Sequence, residues 1–304
     1  MIVAEHKGRL GNQLFQLAGA LRLAKPGEKV LLLGYEDLQR FLEPLDSVEY
    51  LNSNRPRRYR LATRAMGWAY RLPARLRGQL CRSLREDMSI GRIEKVGGRS
   101  SLLPLTLVKE TYFLGDRWLD FELFKPERIR ACWREQAQAW FAQRGLDPQQ
   151  CCFVHVRRGD YCHYPSTSEP GVLPRRFFVE SMERMAAEQG TATFVVASDD
   201  WPWVRDALPE LPASQLVAEG AELTLAVLAS CGAGILSPST YGWAAALFAG
   251  SAELPKRFVA PQHWVGFRRR EWYPYPGVES RTLSYWEWRP AGSERLADAV
   301  GSPG

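Results

Sequence analysis

The sequence predicts an α/β fold made of two domains, and three observations support this. Short apolar runs alternate with segments of helical periodicity, the pattern of parallel sheets covered by helices. A chain of 304 residues is long enough for two domains of about 150 residues, each with its own core. The turn-forming residues 147–150 separate two alternating halves. We therefore expect domains at residues 1–148 and 149–304.

The first domain opens with a strand, a turn and a helix. Ile2–Glu5 predicts a strand, and residues 8–11 a tight turn. Residues 12–25 repeat leucines at helical spacing until Pro26 and Gly27 end the helix. Further elements are expected along this domain: a strand at 29–34, a strand and loop at 106–117 and a helix at 126–144.

Ten arginines and no acidic residue fall between Arg55 and Arg85, whereas the whole chain carries a net charge of +6. The rest of the chain is therefore acidic. The window predicts an arginine-rich helical insertion or lid over residues 55–95. Three interpretations stay open: a solvated helical face, peripheral contact of residues 55–85 with an anionic membrane, or nucleic-acid binding. Nucleic acid is the least favoured, because no recognition module is visible.

The sequence also indicates a compartment. It begins with a predicted strand rather than a secretory signal, and its longest apolar run is shorter than the roughly 20 residues of a membrane-spanning helix. The six cysteines include the adjacent pair Cys151 and Cys152, and we expect reduced thiols rather than a disulfide framework. We therefore expect a cytoplasmic protein, with possible attachment to the inner face of the cytoplasmic membrane.

The second domain alternates more regularly than the first. Its expected strands are 151–156, 193–197, 234–236 and 257–260, and its expected helices are 174–189, 223–230 and 241–249. A helix start is also expected at Pro202, since proline is favoured in the first helical turn. Strands that alternate with helices predict a doubly wound parallel sheet.

Three of these strands end in polar clusters: His-Val-Arg-Arg-Gly-Asp at 155–160, Ser-Asp-Asp at 198–200 and Ser-Pro-Ser-Thr-Tyr at 237–241. Because ligands bind beyond the carboxyl ends of parallel strands, we expect one site at one sheet edge. Arginine suits phosphate oxygens, and a helix beginning at Ser239 and Thr240 directs N–H groups and its dipole at an anion. These parts predict a diphosphate site, in which Asp199 or Asp200 could accept hydrogen bonds from guanine.

Each cluster also has a structural interpretation. Arg157 and Arg158 could pair with Asp160 and Asp199 in a structural network. An Asp-Asp pair before a helix is a common N-cap, and Ser-Pro-Ser-Thr is an ordinary helix start. The convergence of three clusters on one edge favours a ligand site over three separate structural roles.

The N-terminal turn, Gly-Arg-Leu-Gly-Asn-Gln at 8–13, is a second loop at a strand end. It matches neither the GxGxxG nor the Walker pattern. Because it belongs to the other predicted domain, we expect it to face the first site across a cleft.

Four motifs now occur in order: Gly-Arg-Leu-Gly-Asn-Gln-Leu-Phe-Gln at 8–16, His-Val-Arg-Arg-Gly-Asp-Tyr at 155–161, Ala-Ser-Asp-Asp at 197–200 and Ser-Thr-Tyr-Gly-Trp-Ala-Ala at 239–245. Together they resemble the bacterial α-1,2-fucosyltransferases of glycosyltransferase family 11. That family shares the HxRRxD signature with the α-1,6- and protein O-fucosyltransferases. The resemblance covers nearly the whole chain, except the arginine-rich window and about the last thirty residues.

The resemblance implies a GT-B-like fold, with two Rossmann-like domains that face each other across a cleft. It further implies transfer of L-fucose from GDP-β-L-fucose to a glycan hydroxyl, the 2-hydroxyl of a galactoside, with inversion and without a metal or other cofactor. The expected partners are a nucleotide sugar and a glycan acceptor, and no nucleic acid. The alternative is an enzyme of the same fold that uses another nucleotide sugar.

The resemblance also implies residue roles. Arg157 would bind the β-phosphate and stabilise the departing GDP, with Arg158 supporting it. The other expected donor-binding residues are His155, Ser198, Asp199, Asp200, Ser239, Thr240 and Tyr241, of which His155 and Asp200 would contact guanine. Arg9, Asn12 and Gln13 would lie near the sugar and the acceptor.

The identity of the general base stays open among Asp160, Glu5 and His6. Asp160 could instead orient the two arginines. We therefore group Asp160 with Arg157 and Arg158 as candidate catalytic residues.

Two motifs depart from the family pattern. The family has Asn-Ser-Thr-Phe-Ser-Trp-Trp where this chain has Pro-Ser-Thr-Tyr-Gly-Trp-Ala at 238–244, and Gly-Tyr-Phe-Gln where residues 111–114 read Thr-Tyr-Phe-Leu. These departures leave the acceptor, and to a lesser extent the sugar, open.

Two further classes of protein remain as alternatives. Arg-Gly-Asp at 158–160 is an integrin-binding tripeptide, but such tripeptides act on exposed extracellular loops, whereas this one follows an expected core strand. Asp199 and Asp200 could serve a metal-dependent transferase or hydrolase.

Overall fold

The computed structural model describes residues 1–87, 92–98, 100–111, 113, 120–166, 169–189, 193–208, 215–250, 257–261 and 286–289. The chain folds into two compact units, Met1–Leu123 and Phe124–Gly304. The division lies before helix Ala131–Ala142, earlier than the boundary predicted at residues 148 and 149. The physical reason is that this helix packs against helix Ala221–Ser230 of the second unit.

The described part of the first unit forms a six-stranded sheet. Its strands are β1 (Ile2–Glu5), β2 (Val30–Leu33), β3 (Val48–Leu51), β4 (Arg82–Asp87), β5 (Arg92–Val96) and β6 (Thr106–Lys109). They lie in the order β3-β2-β1-β6-β4-β5, and every pair is parallel except β4 with β5. Its helices are α1 (Leu10–Leu23), α2 (Glu36–Phe41), α3 (Pro56–Arg71) and α4 (Ala74–Leu80).

The arginine-rich window is helical only in its first part. Helices α3 and α4 agree with the prediction, but Arg82–Asp87 and Arg92–Val96 form the strand pair β4–β5 rather than a helical insertion. The prediction is wrong there because β4 buries Ser83 and Glu86 beside a single leucine, Leu84. It therefore lacks the apolar run that marks β1 and β2.

The described part of the second unit also contains a six-stranded sheet, and all its strands are parallel. The helix before it is α5 (Ala131–Ala142), and a small antiparallel pair, β8 (Pro165–Ser166) and β9 (Glu169–Pro170), lies outside it. The sheet strands are β7 (Cys151–Val156), β10 (Thr193–Ser198), β11 (Gln215–Leu216), β12 (Ala233–Ile235), β13 (Arg257–Pro261) and β14 (Trp286–Arg289). Its further helices are α6 (Arg175–Gln189), α7 (Trp201–Ala207), α8 (Ala221–Ser230) and α9 (Thr240–Gly250).

The order β11-β10-β7-β12-β13-β14 places β7 at the centre of this sheet. All six residues of β7 are buried, as expected for a strand covered on both faces. Helix α9 is apolar around its whole circumference, and ten of its eleven residues are buried. The doubly wound parallel sheet predicted for this half is confirmed, and the three strands that carry polar clusters are neighbours.

The remaining element predictions hold with few exceptions. The expected strands and helices occur close to their predicted bounds, whereas helix α2 and strands β3, β8, β9, β11 and β14 were not expected. Part of the predicted strand and loop at 106–117 lies outside the described residues. No helix in the described ranges is long and apolar enough to cross a membrane.

Candidate functional site

The three polar clusters meet at one edge of the second sheet, as predicted. Strands β10, β7 and β12 are adjacent and parallel, so their carboxyl ends point the same way. Hydrogen bonds then join the clusters. The Ser237 hydroxyl donates to the carbonyl oxygen of His155 at 2.7 Å and accepts the backbone N–H of Arg157 at 3.0 Å. Ser237 was not among the predicted site residues, because a serine at a strand end gives no specific signal.

Arg157 is held between two carboxylates. Its Nη1 lies 2.5 Å from Oδ2 of Asp199, and its Nη2 lies 2.5 Å from Oδ1 of Asp160. The side chain is 25% exposed, so its guanidinium is accessible at the strand ends. The predicted ion-pair network of Arg157 with Asp160 and Asp199 is therefore present, and it holds the Arg157 guanidinium where a ligand can reach it.

Arg158 is buried in the protein instead. Its side chain is 3% exposed, its Nε donates to Oδ2 of Asp200 at 3.0 Å, and its guanidinium carbon lies 4.2 Å from the ring centroid of Trp203. A buried arginine requires such partners. This position fits the supporting role predicted for Arg158, and Trp203 is a partner that the sequence did not reveal.

The two aspartates of the second cluster have different tasks. Asp199 accepts the backbone N–H of Arg158 at 2.8 Å in addition to its contact with Arg157. Asp200 caps α7 by accepting the backbone N–H of Trp203 at 3.2 Å, and its own N–H bonds to the Ser198 hydroxyl at 2.9 Å. Both oxygens of Asp200 thus already hold a hydrogen bond, and its contact with guanine stays a prediction.

Gly159 makes room for Asp199. A Cβ atom at this position would lie 2.4 Å from Oδ2 of Asp199, closer than any real contact. A side chain here would push the Asp199 carboxylate away from Arg157. Gly159 therefore belongs to the site, although its role is steric and invisible in the sequence.

His155, the next-to-last residue of β7, has a buried, neutral imidazole. Burial, together with the neighbouring Arg157, lowers its pKa to about 3. Within the described part of the chain no group forms a hydrogen bond with its Nδ1. Its ring centroid lies 5.6 Å from that of Tyr241, and a Cβ atom on Gly242 would approach its Nδ1 to 2.7 Å. A neutral imidazole is suited to hydrogen bonding with a base or a sugar rather than to binding phosphate as a cation.

The N-terminus of α9 supplies the third part of the edge. Ser239 and Thr240 are each 8% exposed, and the Ser239 hydroxyl accepts the backbone N–H of Tyr241 at 3.3 Å. The Tyr241 hydroxyl donates to the carbonyl oxygen of Ala221 at 2.5 Å. A direct contact of that hydroxyl with a diphosphate stays a prediction, and it would require loss of the bond to α8.

The N-terminal turn of the first unit is held by contacts within that unit. Gly8 has φ +80°, and a Cβ there would lie 2.1 Å from Nδ2 of Asn12. Gln13 is buried, its Nε2 donates to Gly8 O at 3.4 Å, and its Oε1 accepts the backbone N–H of Leu38 at 3.0 Å. Arg9 is exposed and Asn12 is half-buried. Gln13 thus holds the turn, whereas the predicted contacts of these three residues with sugar and acceptor stay predictions.

The candidate bases are spread over the two units. Asp160 is committed to Arg157, Glu5 lies 3.2 Å from Nζ of Lys109, and the Nδ1 of His6 lies 3.3 Å from the carbonyl oxygen of Leu33. Among the described residues, no three His, Cys, Asp or Glu side chains are grouped to hold a metal ion. All six cysteines lie within the described residues, and no disulfide joins them.

Solved structures define the class of fold. The chain aligns with a crystal structure of POFUT1 in complex with GDP at a TM-score of 0.55 and 13% identity, over 85% of this chain and 97% of that chain. A family 9 glycosyl transferase from Veillonella parvula aligns at a TM-score of 0.51 and 13% identity, over 95% of this chain and 85% of that chain. The protein therefore has the GT-B-like fold of glycosyltransferases, as predicted.

Sequence comparisons match part of the chain to a family. Residues 127–261 match the model of glycosyl transferase family 11, and they contain all three polar clusters. Galactoside 2-alpha-L-fucosyltransferase Sec1 of Mus musculus is 29% identical over 159 residues, which are 47% of this chain and 43% of that protein. O-antigen biosynthesis glycosyltransferase WbnK of Escherichia coli is 28% identical over 116 residues, 36% of this chain and 38% of that protein. The chain spans less than half the length of these relatives, and its residues 127–261 are similar to glycosyl transferase family 11.

Proposed function

We propose that the protein transfers L-fucose from GDP-β-L-fucose to a hydroxyl of a glycan, with inversion at the anomeric carbon. The match of residues 127–261 to family 11 supports this, as do similar proteins named galactoside 2-alpha-L-fucosyltransferases and a fold neighbour crystallised with GDP-fucose. By the same reasoning, the proposed acceptor group is the 2-hydroxyl of a galactoside.

The position of Arg157 is the observation that carries the proposal. Its guanidinium is partly exposed between two carboxylates, at a sheet edge that the N-terminus of α9 also reaches. A β-phosphate would displace Asp160 and Asp199 as the acceptor for the Arg157 guanidinium and form charge-assisted, bidentate hydrogen bonds with it. The N-terminal N–H groups of α9 would face the same diphosphate.

The proposed reaction follows from this arrangement. The acceptor oxygen forms a bond to the anomeric carbon, the bond from that carbon to the β-phosphate oxygen breaks, and the electron pair leaves with GDP. Arg157 stabilises the negative charge that develops on the leaving phosphate, as a donor fixed in place before the reaction does. The proton of the acceptor hydroxyl passes to a base, for which Asp160, Glu5 and His6 remain the candidates.

Metal independence and location are part of the same proposal. Arg157 and the α9 N-terminus would supply the positive charge that the leaving diphosphate requires, with no metal ion. We further propose that the enzyme acts in the cytoplasm, because six described cysteines with no disulfide between them match a reducing compartment.

Calorimetric titration of the full chain with nucleotides tests the donor. GDP and GDP-fucose should bind with affinities that excess EDTA does not change, whereas UDP and dTDP should bind at least tenfold more weakly. GDP-mannose, titrated alongside, tests whether the sugar is selected. Tighter binding of UDP or dTDP, or loss of GDP binding in EDTA, would contradict the proposal.

A further inference from the structure

Helix α3 has two faces of opposite character. Tyr59, Met66 and Tyr70 pack on the sheet of the first unit against Val3 and Leu107. Residues 57, 61, 64 and 68 follow one another by four, three and four positions, so they share the opposite face. This face alternates arginine with large apolar side chains.

The apolar side chains of this outer face are highly exposed. Leu61 is 65% exposed and Trp68 is 61% exposed. Water around such side chains is unfavourable, and contiguous exposed apolar groups mark interaction sites. The sheet already occupies the other face of α3, so a partner for these two side chains has to approach from outside.

The exposed apolar character continues beyond α3. Leu76 on α4 is 49% exposed, and Leu102 and Leu103 are 77% and 48% exposed. The backbone N–H of Leu102 bonds to Gln79 O, and that of Leu103 bonds to Leu80 O, each at 2.8 Å. These bonds hold the two leucines beside α4, which itself packs against α3. We call α3, α4 and residues 102–103 the basic surface.

The charge of the basic surface has one sign. All seven arginines from Arg55 to Arg75 are exposed, and no acidic residue occurs between Glu49 and Glu86. Arg77 is the exception among the arginines of α3 and α4, because it is buried and donates to Ser83 Oγ at 2.8 Å. The exposed cations are thus available to an anionic partner.

We propose that the basic surface docks on an anionic lipid membrane. Lipid headgroups supply phosphates for the arginines, and the interfacial region below them accommodates tryptophan and leucine side chains. Nucleic acid would match the arginines and Trp68, but it offers nothing for the four exposed leucines. The proposal is independent of the donor site, since it uses no residue of the polar clusters.

Vesicle sedimentation of the full chain tests the proposal. Vesicles of phosphatidylcholine with 30% phosphatidylglycerol should bind the protein, and vesicles of phosphatidylcholine alone should not. Changing Arg57, Arg64 and Arg71 to Gln should weaken binding about a hundredfold, because each basic residue near the surface contributes roughly fivefold. Leu61→Ser with Trp68→Ser should weaken it about tenfold or more, through loss of apolar burial.

The matched control removes the same charge elsewhere. Arg22, Arg134 and Arg205 are exposed and lie outside the basic surface, and their change to Gln should leave vesicle binding within about threefold of wild type. GDP binding by calorimetry should be unchanged in all variants, which shows that each is folded. Equal binding to neutral and anionic vesicles, equal losses in both arginine triples, or displacement from vesicles by an equimolar 20-nucleotide RNA would overturn the proposal.

Discussion

At the scale of single residues, adjacent side chains of the same type have separate tasks. Arg157 is partly exposed and bound by two carboxylates at the strand ends, whereas Arg158 is buried against Trp203 and Asp200. Both arginines follow β7, and the direction in which each side chain points from the backbone decides this difference. A ligand can compete for the first guanidinium, and the second belongs to the fold.

This difference predicts unequal losses of stability in two alanine variants. Arg158→Ala should lower the free energy of unfolding by about 1–3 kcal/mol, because it removes charged hydrogen bonds from a buried position. Arg157→Ala should lower it by less, since that side chain is more exposed and its ion pairs are screened. Urea unfolding of both variants measures this, and a larger loss for Arg157→Ala would contradict the assignment.

The neutral state of His155 predicts a pH dependence of stability. In the unfolded chain its pKa is about 6.5, whereas in the folded protein it is about 3. The unfolded state therefore binds the proton first, and stability falls as the pH drops from 6.5 toward 3. Between pH 7.5 and 5.5 the wild type should lose about 1.4 kcal/mol more than His155→Gln. Equal losses in urea unfolding would show that this histidine is not held neutral.

At the scale of elements, the site depends on close approach of backbone and side chain. The turn after β7 can bring Asp199 onto Arg157 only because residue 159 has no side chain. Ser237 joins β7 to the turn after β12 by two hydrogen bonds. The site is therefore fixed by the ends of three strands rather than by a flexible loop.

Gly159→Ala tests this dependence. The added methyl group should displace Asp199 and lower the affinity for GDP at least tenfold, because the guanidinium of Arg157 loses its fixed position. Gly67→Ala is the matched control, since a Cβ in α3 meets nothing within 4 Å and should change stability by at most about 1 kcal/mol, in the stabilising direction. Calorimetry with GDP compares them, and an unchanged affinity in Gly159→Ala would contradict the steric role.

At the scale of the whole molecule, sequence periodicity predicts most of the second unit. Strands β7, β10 and β12 are apolar runs with almost every residue buried, so their presence in one parallel sheet, with their carboxyl ends at the same edge, could be expected. The first unit was predicted less well. Strands β4 and β5 are rich in charged residues and show no apolar run in the sequence. They are extended because β4 pairs with both β5 and β6 in the sheet.

The candidate site was predictable for the same reason. Residue types that follow apolar strands could be read directly, which gave Arg157, Asp199 and Ser239. The contributions of Gly159, Ser237 and Trp203 could not, because they arise from distances between atoms of segments that are far apart in the sequence. The capping of α7 by Asp200 was anticipated, whereas its bond to Arg158 was not.

The central claim is that Arg157 stabilises the leaving GDP during fucosyl transfer, and steady-state release of GDP from GDP-β-L-fucose with a galactoside acceptor tests it most directly. Arg157→Ala should lower kcat/KM at least about a hundredfold, the scale of a lost transition-state donor, while the protein stays folded. Arg134→Ala, which removes an exposed arginine from α5, should remain within about twofold of wild type. Near-normal turnover in Arg157→Ala would contradict the account.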